Sequence, residues 1–273
     1  MKRRRFVTSS LAASSGLLAA TTPHTAAAAA AKHSLQESAQ PQPEYYELRL
    51  YHLRRGPKVK LVDDFFREVA LPAMRRAGLG PVGFFNVAIG PDSPTLYMLI
   101  PHKSMESFAT ASARVSADSE YRKAGAAFLG APAADPAYVR AESSLMVSFE
   151  GTKLEVPAPA NKGRIFELRT YESHNKAANK KKIEMFAKLG EIAIFRRTGL
   201  QPVFFGETLI GSKLPNLTYM LTYPDMSTRD KNWSAFIGDP EWKKLSATPG
   251  YTDPEIVTNI SSAFLRPTGY SEI

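Results

Sequence analysis

One short pattern of polar residues occurs twice in the sequence and carries the side chains that a ligand site needs. Each copy alternates a carboxylate, a guanidinium and a phenol along a segment with strand character. The two sets are Glu47, Arg49 and Tyr51, and Glu167, Arg169 and Tyr171. A guanidinium can bind an acidic group through two parallel hydrogen bonds, and a few convergent polar groups fix the orientation of a bound molecule. We therefore predict that these six side chains bind a small polar or anionic ligand.

The same pattern also has a structural interpretation. Within each set the Glu and the Arg stand two positions apart, so they share one face of a strand and can pair with each other or across the two copies. A buried ion pair of this kind is satisfied without any ligand. The residue types alone do not decide between the two interpretations.

Other patterns for catalysis or metal binding are missing from the sequence. There is no cysteine, which excludes disulfides, thiolate metal sites and cysteine nucleophiles. No Gly-x-Ser-x-Gly elbow, dinucleotide-binding glycine motif or P-loop occurs. After residue 43 the histidines are His52, His102 and His174, and none of them recurs in the other copy or stands at metal-ligand spacing. We expect no metal and no cofactor.

Most of the excess positive charge lies at the N-terminus. The formal net charge is +9, but residues 1–32 contain five basic and no acidic residues. The rest of the chain holds 30 Lys and Arg against 26 Asp and Glu, with no basic stripe interleaved with aromatic residues. The run Lys180-Lys181-Lys182 indicates a solvated helix face. We expect no nucleic-acid partner.

Residues 1–32 have the features of an export signal. Arg3-Arg4-Arg5-Phe6 resembles the core of a twin-arginine signal, a short apolar stretch follows, and an alanine run offers cleavage sites. A plain basic tail or an ordinary secretory signal is the alternative. We expect residues 33–43 to form a disordered linker and no segment to span a membrane. The mature protein is predicted to be periplasmic or secreted, with the twin-arginine translocase as its partner during export.

The remainder of the chain contains two copies of one unit. Matching segments lie 120 to 122 residues apart, so only small changes in loop length separate the copies. The matches include Tyr46–Tyr51 with Phe166–Tyr171, Arg75–Leu79 with Arg196–Leu200, Pro81-Val82 with Pro202-Val203, and Tyr97–Leu99 with Tyr219–Leu221. The predicted boundaries are 44–150 for the first domain, 151–163 for a linker containing proline, 164–268 for the second domain and 269–273 for a tail.

Each copy predicts the element order βαββαβ of a ferredoxin-like unit. The opening segment alternates apolar and polar residues as a half-buried strand does, and apolar residues between Val62 and Ala73 recur at helical spacing. The second helical region is weaker in the first copy. One sheet face of such a unit lacks helices, so we expect an α+β fold in which the two units form an intramolecular pseudo-dimeric barrel. Leu48 and Leu50 are expected to face the helices and the polar sets to face the barrel interior.

These motifs resemble the NIPSNAP family. The resemblance rests on the Tyr/Phe-Glu-Leu-Arg-x-Tyr opening, the Arg-x-Gly-Leu helix end followed by Pro-Val, and the Tyr-Met-Leu strand. The second copy adds the segment from Trp233 to Trp242, whereas the first copy has Ser112 where Trp233 stands. The resemblance implies the dimeric α/β-barrel fold and implies no reaction. Some relatives of this barrel fold bind haem through one histidine, for which His52 or His102 would be the candidate.

Three kinds of function follow from this resemblance and these residues. The protein binds a small molecule in the barrel between its halves, or it is a cofactor-independent enzyme resembling monooxygenases or isomerases, or it is a structural or interaction protein without a ligand. An enclosed interior with an acid or base in one half alone would favour the enzyme, and a filled interior would favour the third class. The sequence leaves open whether two chains associate as a homo-oligomer.

Overall fold

The computed structural model describes residues 42–158 and 164–273. The predicted export signal, residues 33–41 of the predicted linker that follows it, and residues 159–163 lie outside this part of the chain.

The strands form a closed antiparallel barrel built from two sheets of the same topology. The strands are β1 (Tyr45–His52), β2 (Gly83–Ile89), β3 (Thr95–His102), β4 (Arg140–Ser148), β5 (Ile165–Glu172), β6 (Gln201–Ile210), β7 (Asn216–Tyr223) and β8 (Asn259–Pro267). The strand order within the first half is β4-β1-β3-β2 and within the second half β8-β5-β7-β6. The pairs β2–β8 and β4–β6 join the halves, so no sheet edge is left open. This architecture confirms the predicted fold of two ferredoxin-like units forming a pseudo-dimeric barrel.

Helices cover the outer face of each sheet. The helices are α1 (Pro57–Phe65), α2 (Leu71–Arg76), α3 (Met105–Ala117), α4 (Ser119–Ala124), α5 (Ala126–Leu129), α6 (Lys176–Ala187), α7 (Glu191–Arg197), α8 (Met226–Gly238), α9 (Pro240–Ser246) and α10 (Asp253–Ile256). The helix expected to be weak in the first copy, α3, is 13 residues long, as α8 is. Each is preceded by a capping residue whose side chain accepts a backbone hydrogen bond, Ser104 for α3 and Asp225 for α8. Within the described residues, no helix combines the length and the apolar character needed to cross a membrane.

The first helical segment of each half is interrupted, and the sequence explains how. Between α1 and α2 the chain makes a π-helical turn over Phe66–Ala70, which ends two residues before Pro72. Proline has no N–H to donate to the carbonyl one turn earlier, and the wider π-helical turn accommodates the missing hydrogen bond. In the second half the break falls at Gly190, which has a φ of 98°. Gly190 therefore separates α6 from α7.

The apolar core has three layers, one inside the barrel and one beneath the helices of each half. Leu48, Leu99, Leu168 and Met220 lie in the interior cluster, which draws on both halves. Tyr51 instead packs against Phe66 on the helix side, with ring centroids 4.9 Å apart. The expectation that the polar sets face the interior is therefore wrong. Both faces of each sheet are covered here, and the apolar side chains fill the interior because that is where they exclude water most completely.

The strand register also corrects one match between the copies. Tyr97 stands opposite Leu50, whereas Tyr219 stands opposite Arg169. The two tyrosines therefore occupy opposite faces: Tyr97 lies in the barrel interior and Tyr219 beneath the helices. The true counterpart of Tyr97 is Thr218, which stands opposite Thr170. Because side chains alternate along a strand, this shift of one residue exchanges an interior tyrosine for an interior threonine.

Two short arms close the barrel at the end where β2 and β6 begin. In the segment after β4, the Glu155 N–H donates to the Val203 carbonyl at 2.8 Å. In the tail after β8, the Glu272 N–H donates to the Val82 carbonyl at 3.0 Å. Each arm thus crosses to the other half, and Ile273 of the tail is buried in the interior cluster.

Candidate functional site

A cavity of about 360 Å³ occupies the other end of the barrel, where β1 and β5 end. Its apolar floor comes from both halves and includes Leu48, Leu50, Met146, Leu168 and Ala263. Its walls and mouth are polar and include His52, Asp92, Tyr97, Glu142, Ser144, Thr170, Thr208, Lys213, Asn216, Thr218, Ser261 and Ser262. An apolar floor with a few convergent polar groups is the usual composition of a small-molecule site. We call this space the end cavity.

The first half contributes an imidazole and two carboxylates to the end cavity. His52 is buried, and its Nε2 lies 2.9 Å from Glu142 Oε1, although not in the geometry of a linear hydrogen bond. Its Nδ1 lies 3.2 Å from Thr95 Oγ1 and 3.9 Å from Asp92 Oδ2. A histidine held between a hydroxyl and a carboxylate can take up or release a proton at a defined nitrogen.

Arg140 orients both carboxylates at this wall. Its Nε donates to Glu142 Oε1 at 2.8 Å and its NH2 to Asp92 Oδ2 at 3.1 Å. The hydrogen bond from Arg140 lowers the pKa of Glu142, with a smaller contribution from His52. Glu142 therefore stays charged at neutral pH beside the imidazole.

The second half contributes an amine and hydroxyl groups at the corresponding positions. Lys213 occupies the loop position of Asp92, and its Nζ lies 3.1 Å from Ser261 Oγ and 3.8 Å from Glu172 Oε1. Ser261 stands opposite Thr170 as Glu142 stands opposite Leu50. The two walls of the end cavity thus differ in charge, although the backbone is nearly symmetric.

The two loops that carry charge to the mouth share an uncommon backbone conformation. Asp92 has a φ of 54° and Lys213 a φ of 61°, and among the non-glycine residues of 42–158 and 164–273 these two alone have a positive φ. A side chain in this left-handed region costs free energy, and such residues concentrate at functional sites. The strain supports a role for both loops at the cavity mouth.

Glu47 and Arg49 pair on the helix side of the first half. Glu47 is buried and accepts hydrogen bonds from Arg49 Nε, from Arg49 NH2 at 3.0 Å and from Ser143 Oγ at 2.7 Å. His102 Nε2 lies 3.7 Å from Glu47 Oε2. Burial alone would raise the pKa of Glu47, but the neighbouring His102 and Arg49 lower it to about 2.

Glu167 is more fully satisfied in the second half. It is completely buried and accepts hydrogen bonds from Arg169 at 2.7 Å, from Arg229 at 2.9 and 3.0 Å, from Trp233 at 3.0 Å and from Tyr223 at 3.2 Å. Arg169 NH2 also donates to Tyr171 at 3.2 Å. Burial opposes ionisation, yet Arg229 and Arg169 lower the pKa of Glu167. The geometry of this set fits the structural interpretation.

The six residues predicted to form one ligand site therefore lie in two separate clusters. Each cluster sits between its own sheet and its own helices, and the barrel interior separates them. Their role in binding a ligand stays a prediction.

The sequence predicts no small-molecule site from the residues of the end cavity and names His52 only as a candidate haem ligand. His52 lies one position past the repeated motif, and the charged residues of the cavity stand where the copies differ, whereas the predicted site consists of positions that repeat. The signal that could have found them is that difference, because Asp92 and Lys213 occupy matching loops with opposite charge.

Lys182 was expected to be solvated with its neighbours and is buried instead. Its Nζ lies 3.3 Å from Glu191 Oε2 and 3.5 Å from Asp253 Oδ1.

No group of three or more His, Cys, Asp or Glu side chains in the described residues is arranged to hold a metal ion.

Two solved structures share most of the barrel. A candidate monooxygenase from Fusobacterium nucleatum is 9% identical with a TM-score of 0.55, covering 82% of this chain and 92% of its own. A candidate monooxygenase from Lactobacillus acidophilus is 8% identical with a TM-score of 0.53, covering 82% of this chain and 94% of its own. At such low identities the likeness establishes the dimeric α/β-barrel fold and leaves the reaction open.

The sequence comparisons identify the family. No curated protein matches the chain. Among solved structures, an uncharacterised NIPSNAP-like domain protein from Burkholderia xenovorans is 22% identical over 41% of this chain and 90% of its own, with a TM-score of 0.37. The NIPSNAP pattern matches residues 46–131 and 166–272, which include most of both copies and more than half of the chain. The chain therefore belongs to the NIPSNAP family.

Proposed function

We propose that this protein binds a small molecule in the end cavity between its two halves. The observation that carries the proposal is a cavity of about 360 Å³ whose two walls differ in charge above a shared apolar floor. This volume falls within the range of small-molecule sites. The fitting ligand has an apolar body, an acidic group facing Lys213 and a hydrogen-bond donor facing His52 and Glu142.

A second candidate function is proton transfer on such a ligand. It is favoured by His52, whose buried imidazole lies beside the charged Glu142. The matching position of the second half holds Glu172, so the two halves differ in this group. A histidine in this setting suits general acid–base chemistry on an enolisable or aromatic substrate, as in a cofactor-independent isomerase or monooxygenase. Replacement of His52 by Gln would abolish turnover of an identified ligand while leaving its binding within about threefold, because Gln keeps a polar side chain of similar size.

The binding proposal is tested by exchanging one residue between the halves. Thr218→Tyr places the tyrosine of the first half at the matching interior position of the second, where it fills the end cavity. Tyr97→Thr makes the reverse exchange, enlarges the cavity and serves as the matched control. Native mass spectrometry of the purified protein, with extraction of the released compound, should show a bound small molecule in the wild type and in Tyr97→Thr and none in Thr218→Tyr.

The proposal fails if the bound mass persists in Thr218→Tyr. It also fails if the wild type retains no compound and small hydroxycarboxylic acids at about 10 mM, well above a millimolar dissociation constant, do not shift its melting temperature.

We also propose that the protein is exported through the twin-arginine pathway, on the strength of Arg3-Arg4-Arg5-Phe6 and the alanine run after it. Cell fractionation should recover a shortened protein from the periplasm or the medium. Replacement of all three arginines by lysine should leave the full-length chain in the cytoplasm. Export that continues unchanged in this variant would exclude the twin-arginine route.

A further inference from the structure

The first half contains a second cavity, between its sheet and its helices, that holds an arginine. This space measures about 80 Å³ and is lined by Arg49, Tyr51, Phe65, Met98, Ser112 and Phe128 among others. It lies on the opposite face of the sheet from the end cavity. A volume of this size exceeds what one water molecule requires.

The cavity exists where the two halves differ in sequence. In the second half Trp233 of α8 covers the corresponding arginine, with its ring 4.7 Å from the Arg169 guanidinium, and contacts Phe195 and Phe236. The matching residue of α3 is Ser112, whose side chain is far smaller. Arg49 is accordingly 29% exposed and Arg169 15%.

The arginine at this cavity keeps one nitrogen for a ligand. Nε and NH2 of Arg49 hydrogen-bond to Glu47, and the guanidinium also contacts the Tyr51 hydroxyl. NH1 carries two hydrogens, so it can still donate to a further acceptor beside Tyr51. In the second half Glu167 is shared between two arginines, whereas the position of Arg229 is taken in the first half by Phe108, which packs against His102. The first half thus has neither the second arginine nor the indole of the second half. An open space lined largely by apolar residues lies beside its one arginine instead.

We propose that this cavity is a second binding site, specific for a compact monocarboxylate with an aromatic or branched apolar body. The carboxylate pairs with NH1 of Arg49 and the Tyr51 hydroxyl, while the apolar body lies against the stacked rings of Phe65 and Phe128, whose centroids are 3.8 Å apart. The site is independent of the end cavity and does not rest on the function proposed for it.

Benzoate is the probe, with benzamide as its uncharged isostere. Benzoate has no hydrogen-bond donor to face His52 and Glu142, so we do not expect it to bind in the end cavity. Titration calorimetry on the purified wild-type protein should detect benzoate binding at one site and benzamide binding at least about tenfold more weakly, since only the anion pairs with Arg49. Ser112→Trp copies the second half and should weaken benzoate binding more than about tenfold by filling the space. Arg49→Gln keeps the space but removes the charge, so it should abolish the preference for benzoate over benzamide.

One further variant makes the outcome decisive. Thr218→Tyr fills the end cavity and should leave benzoate binding unchanged, which separates the two sites. Circular dichroism identifies any variant that fails to fold, and Arg49→Gln then carries the test if Ser112→Trp does not fold.

The proposal is overturned if benzoate does not bind the wild type at about 10 mM, a concentration at which a millimolar site would be nearly saturated. It is equally overturned if folded Ser112→Trp binds benzoate as the wild type does, or if Thr218→Tyr abolishes the binding.

Discussion

Glu47 and Glu167 occupy matching positions in the two repeats but have different partners. Both are buried, and each pairs with the arginine two residues further along its strand. Glu167 has in addition Arg229 and Trp233 from α8, whereas Glu47 has Ser143 from β4 and a nearby His102. A carboxylate shared by two arginines neutralises more charge than one that faces a single arginine, so its loss leaves more charge unpaired.

Replacing each glutamate by glutamine tests this difference. Glu167→Gln removes a fully buried charge, leaves two half-buried arginines without a counter-charge and should lower the free energy of unfolding by about 3 to 5 kcal/mol. Glu47→Gln leaves one arginine that reaches solvent more easily and should cost about 1 to 3 kcal/mol. Urea unfolding of both variants at neutral pH measures the two values. An equal or larger loss for Glu47→Gln would contradict the structural role assigned to the second cluster.

The repeated Glu-x-Arg-x-Tyr motif shows what residue types alone can predict and what they cannot. Alternation along the strand correctly separates Glu47 and Arg49 from Leu48, because side chains of a strand point alternately to its two faces. It does not say which face meets the helices, since both faces of the sheet are covered in the barrel. Arg229 and Trp233, which satisfy Glu167, are more than sixty positions away in the chain. No local pattern could have predicted that these residues meet.

A buried ion pair ties the helices α6, α7 and α10 together. Lys182 on α6 contacts Glu191 at the start of α7 and Asp253 at the start of α10. Its ammonium group also lies 5.3 Å from the ring of Trp242. Burial raises the pKa of Glu191 to about 7, although Lys182 opposes the shift. The protonation of Glu191 therefore changes near neutral pH.

The raised pKa of Glu191 predicts a pH-dependent stability. A carboxyl group with a higher pKa in the folded than in the unfolded protein favours folding while it is protonated, below about pH 4.5. That contribution is lost as the pH rises through about 7. Glu191→Gln should therefore reduce the loss of unfolding free energy between pH 5 and pH 8 by about 2 kcal/mol. Urea unfolding at a series of pH values measures it, with the exposed Glu241→Gln as control. Parallel curves for wild type and Glu191→Gln would disprove the shift.

Each loop at the mouth of the end cavity places a charged residue in a strained backbone conformation. Lys213 holds a φ of 61°, a conformation that glycine adopts without cost. Lys213→Gly and Lys213→Ala both remove the amine, but the alanine variant alone keeps the strained backbone. We expect Lys213→Gly to be more stable than Lys213→Ala by about 1 kcal/mol in thermal unfolding. Equal melting temperatures would mean that the loop carries no strain.

The register of the strands is the feature of the elements that could not be predicted from the sequence. The strands, their order and the doubling of the unit follow from alternation, helical spacing and the repeat. The register does not, because the repeated Tyr-Met-Leu letters align Tyr97 with Tyr219 although their strands place them on opposite faces. The end cavity depends on that register, since Tyr97 and Thr218 form part of its walls. Only hydrogen-bond pairing between strands distant in sequence determines it.

At the scale of the whole molecule, the barrel is held closed at one end by its own connecting segments. Sequence reasoning treated residues 151–163 as a linker and 269–273 as a tail. Residues Leu154 and Ile273 of these arms pack into the shared interior, and each arm pairs with the half to which it does not belong. Matching ion pairs fasten them, Arg196 with Glu155 at 2.5 Å and Arg75 with Glu272 at 2.6 Å. The cavity at the far end therefore has a floor that both arms help to support.

Removal of the tail tests whether this exchange stabilises the barrel. Deletion of residues 269–273 exposes the interior that Ile273 covers and removes the backbone pairing of Glu272 with Val82. Loss of a buried aliphatic side chain costs about 2 to 5 kcal/mol, and each lost hydrogen bond about 1 kcal/mol more. We expect the deletion to lower the free energy of unfolding by about 4 kcal/mol in urea. Ile273→Ala should account for the largest single part of that loss. Glu272→Gln removes the ion pair with the exposed Arg75 but keeps an oxygen that can accept from the Val82 N–H, so it should cost less than about 1 kcal/mol. If the deletion leaves the unfolding midpoint unchanged, the arms merely rest on the barrel, and its closure depends on the strand pairs β2–β8 and β4–β6 alone.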